Sequence, residues 1–350
     1  MTTLTAAANS ATNLIALPRV CATEPTRQGN PPAAARPRHV TVHADDGTRL
    51  ACHDYGHPDA AHTIVFLHGL CLNSTSWTSH ISRLTRRYGT ALRIIAYDHR
   101  GHGHSAEAPV RSYTITRLAA DLSTVLRALR VRGPLTLIGH SMGGMTALAY
   151  FDQSAQLRPV EPTGLVLIAT AAGKLAEHGV GRLLAAPGAT TLLTRAAQAP
   201  EPLIRAFVKP MCTLLAHLGD HFAATTLASV TLNALTTTPP RTALGFLPSL
   251  RTYNVHASLP RISARTVIVS GNLDPLTPTT HSRHLAAAIP GAHLINVVGG
   301  GHMLPQQAPD VIQRAVTEAI TASHERRNRR SPTLPPNLIP TLSVARTAAI

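Results

Sequence analysis

A serine, a histidine and an aspartate occupy positions from which they could together activate an alcohol for attack on a carbonyl group. Ser141 is the centre of residues 139–143, which read GHSMG and fit the pattern G-x-S-x-G. A serine hydroxyl is a poor nucleophile until a base removes its proton, and histidine suits that role because its unperturbed pKa is about 6.5. A carboxylate on the other ring nitrogen fixes the tautomer and stabilises the imidazolium. Asp274 and His302 are the candidates for the carboxylate and the base.

The pentapeptide has the local context that displays a serine above a sheet. The apolar run 135–138 predicts a buried strand before it, and 142–150, small and apolar without proline, predicts a helix after it. A residue at the sharp turn between the two adopts a strained backbone conformation. Gly139 and Gly143 have no Cβ, so neighbouring backbone can approach without a clash. We therefore expect the hydroxyl of Ser141 to point up from the edge of the sheet.

Two backbone N–H groups are expected to bind the charge that develops on the attacked carbonyl oxygen. Met142 opens the predicted helix, so its N–H faces the attacked group with the help of the helix dipole. The tripeptide 68–70 follows the apolar strand 63–67, and the N–H of Leu70 is the expected second donor. Cys71 beside it is expected to act as a small apolar residue, with a reactive thiol as the alternative.

The chain order Ser141, Asp274, His302 supports the assignment because it is one of the known orders for such a triad. Asp274 precedes a proline, a combination common in turns, so a carboxylate that only caps its loop is the alternative. His302 follows three glycines at the end of a predicted strand, which distinguishes it from the other histidines.

Three further histidines, His99, His102 and His104, stand in the glycine-rich turn 98–105. They precede Ser141 and so do not fit the order of the triad, and a structural role is expected for each. A metal site built from them is disfavoured because the spacing i, i+3, i+5 is not a familiar ligand pattern. No metal site is predicted.

Strands alternate with helices along most of the chain, which predicts an α/β fold with a mostly parallel, doubly wound sheet. Ligands of such sheets bind at the carboxyl ends of the strands, where the loops with the candidate residues begin. Between 173 and 257 the alternation stops. Three helical segments there, 182–197, 202–218 and 222–235, predict an inserted helical cap, whose apolar face is expected mainly to pack on the core.

Composition shifts divide the chain into five parts. They are a flexible N-terminal extension (1–38), a first core part (39–172), the cap (173–257), a second core part (258–322) and a disordered basic, proline-rich tail (323–350).

The formal charge of +15 does not predict nucleic-acid binding. The arginines are scattered, and no aromatic residues interleave with them. The charge instead favours weak association with anionic or lipid surfaces. The four cysteines show no C-x-x-C spacing and the N-terminus lacks the pattern of a secretory signal, so we expect a cytoplasmic protein. Association with a membrane surface or export is the alternative.

The motifs together resemble the serine hydrolases of the α/β-hydrolase superfamily, in the esterase- and lipase-like branch. The resemblance covers about 39–322 and rests on His68, Gly69, residues 98–105, the GHSMGG run that contains Gly139, His140, Ser141 and Gly143, residues 271–278, and Gly301 with His302. Epoxide hydrolases of this fold carry aspartate where this chain has Ser141, which argues against that activity.

The resemblance implies an enzyme without cofactor that cleaves a carboxylic ester, with an apolar acyl group under the cap, through an acyl-enzyme. The expected partner is a small-molecule ester. The alternatives are a C–C bond hydrolase, a cofactor-free haloperoxidase, and a member of the fold that binds a small apolar ligand without turnover.

Overall fold

A nine-stranded sheet organises the part of the chain that the computed structural model describes, which is residues 12–16, 36–177, 179, 182, 188–200 and 238–330. The strands are β1 (Thr12–Ala16), β2 (Arg38–His43), β3 (Arg49–Tyr55), β4 (His62–Leu67), β5 (Leu92–Tyr97), β6 (Leu135–His140), β7 (Gly164–Ile168), β8 (Arg265–Gly271) and β9 (His293–Val298). Their order across the sheet is β1-β9-β8-β7-β6-β4-β5-β3-β2.

Most of the sheet is parallel, and only β3 runs antiparallel to the other strands, as the inner strand of a β2–β3 hairpin at one edge. The strands β4 to β7 are buried along their whole length, as the apolar runs 63–67 and 135–138 predicted for β4 and β6. Parallel strands end at the same edge, and the register aligns Leu67 at the end of β4 with Gly139 near the end of β6. The loops that carry the candidate residues therefore leave the sheet on one side.

Helices cover both faces of the sheet. They are α1 (Thr78–Tyr88), α2 (Ile115–Ala128), α3 (Met142–Asp152), α4 (Ala189–Gln198), α5 (Pro240–Thr252), α6 (Thr279–Ala288), α7 (Leu304–Gln307) and α8 (Pro309–Arg330). The apolar faces of α2, α3 and α6 join one core cluster, and those of α1 and α8 join another. Successive residues of a strand point to opposite faces, so Val65 belongs to the first cluster and Phe66 to the second. The predicted α/β fold with a doubly wound, mostly parallel sheet is confirmed.

The predicted insertion leaves and rejoins the sheet domain at one point. Gly173 forms an antiparallel bridge with Asn254, and the N–H of Val255 donates to the carbonyl of Ala172 at 2.8 Å. Between these residues the structure describes α4 and α5, which pack together through buried side chains. The predicted cap helices 202–218 and 222–235 lie outside the described residues.

The N-terminal segment differs from the prediction of a flexible extension over 1–38. Its strand β1 pairs in parallel with β9, from Thr12 opposite Leu294 to Ala16 opposite Val298. The unpaired backbone of an edge strand accepts an extended segment through main-chain hydrogen bonds. Such pairing needs no particular side-chain pattern, and for this reason composition did not predict it.

The C-terminal helix also differs from the prediction. The helical segment that begins at Leu304 is broken at Ala308, because Pro309 has no N–H to continue the ladder and instead opens α8. The new helix then runs to Arg330, so the first residues of the predicted disordered tail are helical. None of the described helices combines the length and the apolar character that a membrane span requires.

Candidate active site

Ser141 lies at the sharp turn between β6 and α3. Its backbone has φ 52° and ψ −119°, a conformation that residues with a side chain rarely adopt. The surroundings fix it, since the N–H of Ser141 donates to the carbonyl of Ile168 at 2.9 Å. The hydroxyl of Thr170 donates to the carbonyl of Ser141 at 2.7 Å. The strand, turn and helix predicted for this stretch are present.

Glycines make this turn possible by letting three backbone segments touch. A Cβ on Gly143 would lie 2.2 Å from the carbonyl oxygen of Leu67, and one on Gly139 would lie 2.5 Å from the carbonyl oxygen of Gly143. A Cβ on Gly69 would lie 3.3 Å from the Cβ of Ser141. The end of β4 and the loop after it are thus held directly against the serine.

The strain at Ser141 predicts that Ser141→Gly is more stable than Ser141→Ala. Both variants lack the hydroxyl, but only glycine adopts the observed φ without steric cost. Strain of this kind is worth about 1–3 kcal/mol, and the greater entropy of unfolded glycine offsets about 0.5–1 kcal/mol of it. We expect a melting temperature about 2 °C higher for the glycine variant in calorimetry. A melting temperature of Ser141→Gly equal to or below that of Ser141→Ala would show that the backbone at residue 141 is not strained.

The side chains of Ser141, His302 and Asp274 form a chain of hydrogen bonds. The distance from Ser141 Oγ to His302 Nε2 is 3.0 Å, and that from His302 Nδ1 to Asp274 Oδ2 is 2.8 Å. An ionised carboxylate only accepts, so Nδ1 carries the proton and the lone pair of Nε2 faces the serine hydroxyl. Three loops that are distant in sequence therefore meet with the geometry that a serine nucleophile needs.

Asp274 is buried and its carboxylate is fully engaged. Oδ1 accepts from the N–H groups of Leu276 and Thr277, at 2.8 and 3.0 Å, and Oδ2 accepts from the hydroxyl of Thr277 at 2.6 Å. Burial by itself raises the pKa of Asp274, but His302 and the hydrogen bonds of Thr277 outweigh it and hold the pKa well below the usual range. Asp274 therefore caps its own loop and also binds His302.

The backbone on both sides of the His302 ring is anchored. His140 Nε2 donates to the carbonyl of His302 at 2.9 Å, and the N–H of Gly301 donates to the side-chain oxygen of Gln307 at 2.8 Å. Burial, together with the nearby His302, lowers the pKa of His140 to about 3, so its ring is neutral. The residue before Ser141 thus anchors the backbone of the candidate base.

The backbone N–H groups of Leu70 and Met142, the predicted oxyanion donors, make no hydrogen bond within the described part of the chain. The next N–H in the loop, that of Cys71, is occupied because it donates to His102 Nε2 at 3.1 Å. Cys71 also has a positive φ of 61°, which turns the loop sharply after Leu70. The N–H of Leu70 therefore remains available, and its role as an oxyanion donor stays a prediction.

Buried histidines support this loop from below. His68 donates from Nδ1 to the carbonyl of Gly69 at 2.8 Å, and its Nε2 accepts from the N–H of His99 at 2.9 Å. The rings of His68 and His102 lie 5.2 Å apart between centroids. Burial lowers the pKa of the imidazoles of His68, His99 and His102, that of His102 to about 3. His104 is exposed, so it does not join the other two histidines of the turn in one site.

The buried imidazoles predict that the fold loses stability in mild acid. Four of the buried rings, those of His68, His99, His102 and His140, have a folded pKa below the unfolded value of about 6.5. The unfolded chain therefore binds more protons as the pH falls from 7 to 5, which lowers the free energy of unfolding by about 1–2 kcal/mol for each ring. Among the buried aspartates, Asp98 and Asp274 have lowered pKa values, and these two lose their contribution only below about pH 4.

Thermal melting between pH 7.5 and pH 5 measures this effect. We expect the melting temperature to fall steadily over that range. The variant His57→Gln changes an imidazole that is mostly exposed and should show the same slope as the unmodified chain. A melting temperature that stays constant down to pH 5 would contradict the assignment of four neutral buried rings.

Several residues that hold the candidate site in place were not predicted from the sequence. Thr170 and Thr277 bind the backbone of Ser141 and the carboxylate of Asp274, and Gln307 fixes the loop before His302. Thr277 stands three residues after an aspartate, the spacing of a side-chain-capped turn, so the sequence carried a usable indication for it. Nothing in the sequence marks Thr170 or Gln307, because their partners are remote along the chain.

The chain belongs to the α/β hydrolase fold family, whose model matches residues 62–309. It is similar to a protein of Pseudomonas syringae pv. syringae named "Putative carbamate hydrolase RutD", with 30% identity over 273 residues that cover 75% of this chain and 95% of the relative. A shorter match, 36% identical over 109 residues, covers 31% of this chain and 37% of a non-heme haloperoxidase of Rhodococcus erythropolis.

Solved structures agree on the fold. A thermophilic esterase from Thermogutta terrifontis superimposes with a TM-score of 0.66 at 22% identity, over 82% of this chain and 99% of the esterase. At this level of identity the likeness shows the architecture alone. The chain is thus a hydrolase-family member whose sheet matches those of structurally known esterases.

Proposed function

We propose that this protein is a serine hydrolase that cleaves carboxylic esters through an acyl-enzyme. The observation that carries the proposal is the hydrogen-bonded series from Ser141 Oγ through His302 to the buried carboxylate of Asp274, at 3.0 and 2.8 Å. The membership of a hydrolase family supports it. Each role follows from the position of the group within that series.

The first half-reaction transfers the acyl group to the serine. Ser141 Oγ attacks the ester carbonyl carbon while His302 Nε2 takes the hydroxyl proton, and the carbonyl oxygen gains the negative charge. The N–H groups of Leu70 and Met142 bind this oxyanion, and one such donor is typically worth about 10²–10³ in rate. The intermediate collapses when the C–O bond breaks, and His302 gives its proton to the departing alcohol. Asp274 stabilises the imidazolium throughout.

The second half-reaction returns the serine. His302 takes a proton from a water molecule, whose oxygen attacks the acyl carbon through a second oxyanion at the same two N–H groups. The bond to Ser141 Oγ then breaks, and His302 delivers the proton to this oxygen. The products are the carboxylic acid and free enzyme. Every atom in these steps comes from the chain, the ester or water, so the proposal requires no cofactor.

The preferred acyl group is proposed to be apolar, as the resemblance to the esterase- and lipase-like branch implies. Carbamates are a second candidate substrate class because the full-length relatives carry that activity in their name. The same attack on a carbamate carbonyl would use the same residues. No observation of comparable weight supports C–C bond hydrolysis, haloperoxidase chemistry or the binding of a ligand without turnover.

A panel of nitrophenyl substrates tests the proposal and separates the two classes. Esters with acyl chains of graded length should release nitrophenol, with kcat/KM rising from acetate toward longer chains. An N-alkyl nitrophenyl carbamate serves as the second arm, and faster turnover of the carbamate would favour that class. If neither class releases nitrophenol above the rate of the Ser141→Ala variant, the proposed function is wrong.

A further inference from the structure

A second group of ligating side chains lies outside the candidate active site. His53, Asp98 and His104 each offer one ligand atom, and these atoms all lie within 4.8 Å of one another. His53 is in β3, Asp98 directly follows β5, and His104 belongs to the glycine-rich turn after it. The hydrolytic steps use none of the three. They are brought together because β3 and β5 are neighbours in the sheet, with His53 opposite Ala96.

The three groups have capacity for a further partner. Asp98 is buried and accepts backbone N–H groups from Ser74 at 2.7 Å and His104 at 2.8 Å, one on each oxygen, which leaves lone pairs on both. His104 Nδ1 lies 3.6 Å from Asp98 Oδ2. His53 Nε2 is buried and has no hydrogen-bond partner in the part of the chain that the structure describes. A buried nitrogen left in this way is unfavourable unless some other group binds it.

We propose that His53, Asp98 and His104 bind a divalent transition-metal ion of the Zn²⁺ type. Zinc bonds of about 2.0–2.2 Å to nitrogen and oxygen place tetrahedral ligands about 3.3–3.5 Å from one another. The His104–Asp98 separation is already close to that value, and a rotation of side chains brings in the third ligand. Two imidazoles with one carboxylate favour Zn²⁺ over Mg²⁺ or Ca²⁺, which prefer sets made of oxygen.

His39 offers a candidate for the fourth position. It stands directly opposite His53 in the β2–β3 hairpin, and the two rings lie 4.9 Å apart between centroids. A water molecule is the other occupant of that position. The role of the ion is structural, because it ties β3 to the turn that follows β5.

Titration of untagged, metal-stripped full-length protein with ZnCl₂ tests the site, followed by calorimetry and by the visible absorption of the Co²⁺ form. We expect one saturable site, an intense tetrahedral Co²⁺ spectrum and a higher melting temperature with Zn²⁺. His104→Gln alters an exposed side chain and His53→Gln a half-buried one, and each should weaken Zn²⁺ binding at least tenfold.

The matched control is His43→Gln, which changes an exposed histidine of β2 outside the group. It should bind Zn²⁺ and Co²⁺ as the unmodified chain does. Two results would overturn the proposal. One is the absence of a saturable site in the unmodified chain, and the other is unchanged binding in both His104→Gln and His53→Gln. The binding titration and the Co²⁺ spectrum do not depend on esterase activity. Their outcome therefore does not bear on the proposed function.

Discussion

Ser141→Ala lowers kcat for ester hydrolysis by about 10⁴- to 10⁶-fold. In the proposed mechanism the oxygen of this hydroxyl, which lies 3.0 Å from His302 Nε2, forms the bond to substrate, and alanine leaves nothing to replace it. KM should change little, since the hydroxyl contributes little to binding the ground state. Steady-state kinetics with a nitrophenyl ester, on protein whose circular dichroism matches the unmodified chain, measures the effect.

A serine elsewhere on the surface provides the control for this variant. Ser154 is exposed and lies just after α3, so Ser154→Ala should keep full activity. A fluorophosphonate probe should label the unmodified chain and Ser154→Ala alike and fail to label Ser141→Ala. Residual turnover of Ser141→Ala within tenfold of the unmodified chain would mean that another group is the nucleophile.

Asp274→Asn lowers kcat by about 10⁴-fold without unfolding the protein. Asparagine keeps an acceptor oxygen for the N–H groups of Leu276 and Thr277, but its amide can donate to His302 Nδ1. The histidine then carries its proton on Nε2, where the serine hydroxyl needs a lone pair. Loss of the carboxylate also removes the charge that stabilises the imidazolium.

Two measurements make the Asp274→Asn test specific. The fluorophosphonate reaction should slow together with kcat, because both need the base. Asp59→Asn, in a turn where the side chain is 90% exposed, should behave as the unmodified chain. If Asp274→Asn retains more than a tenth of the activity, the aspartate acts only as a cap for its loop and does not orient His302.

The residues of the candidate site were predictable from the sequence because each sits in a short, local pattern. Glycines mark the places where the backbone must turn sharply or pack closely at the end of a strand. They surround Ser141, occur in the tripeptide 68–70 and precede His302. The apolar runs identified the buried strands. Because these strands are parallel, the loops that follow them lie at one edge of the sheet. Type and spacing were therefore sufficient to name the three side chains that meet.

Features that depend on distant pairing could not be predicted in the same way. The strand β1 forms through backbone hydrogen bonds to β9, and its composition does not differ from that of the residues around it. His53 and Asp98 meet only because β3 pairs with β5, which skips β4 in the order of the sheet. The support given by Thr170 to Ser141 likewise requires β7 to lie beside β6. These relations become visible only in three dimensions.

The proposed mechanism requires Ser141 to become acylated during turnover. Acid quenching of the reaction with a nitrophenyl ester, followed by peptide mapping by mass spectrometry, tests this directly. We expect one acyl adduct, on the peptide that contains Ser141, formed within the first turnover and absent from Ser141→Ala. An adduct on another residue, or ester turnover by Ser141→Ala at the rate of the unmodified chain, would contradict it.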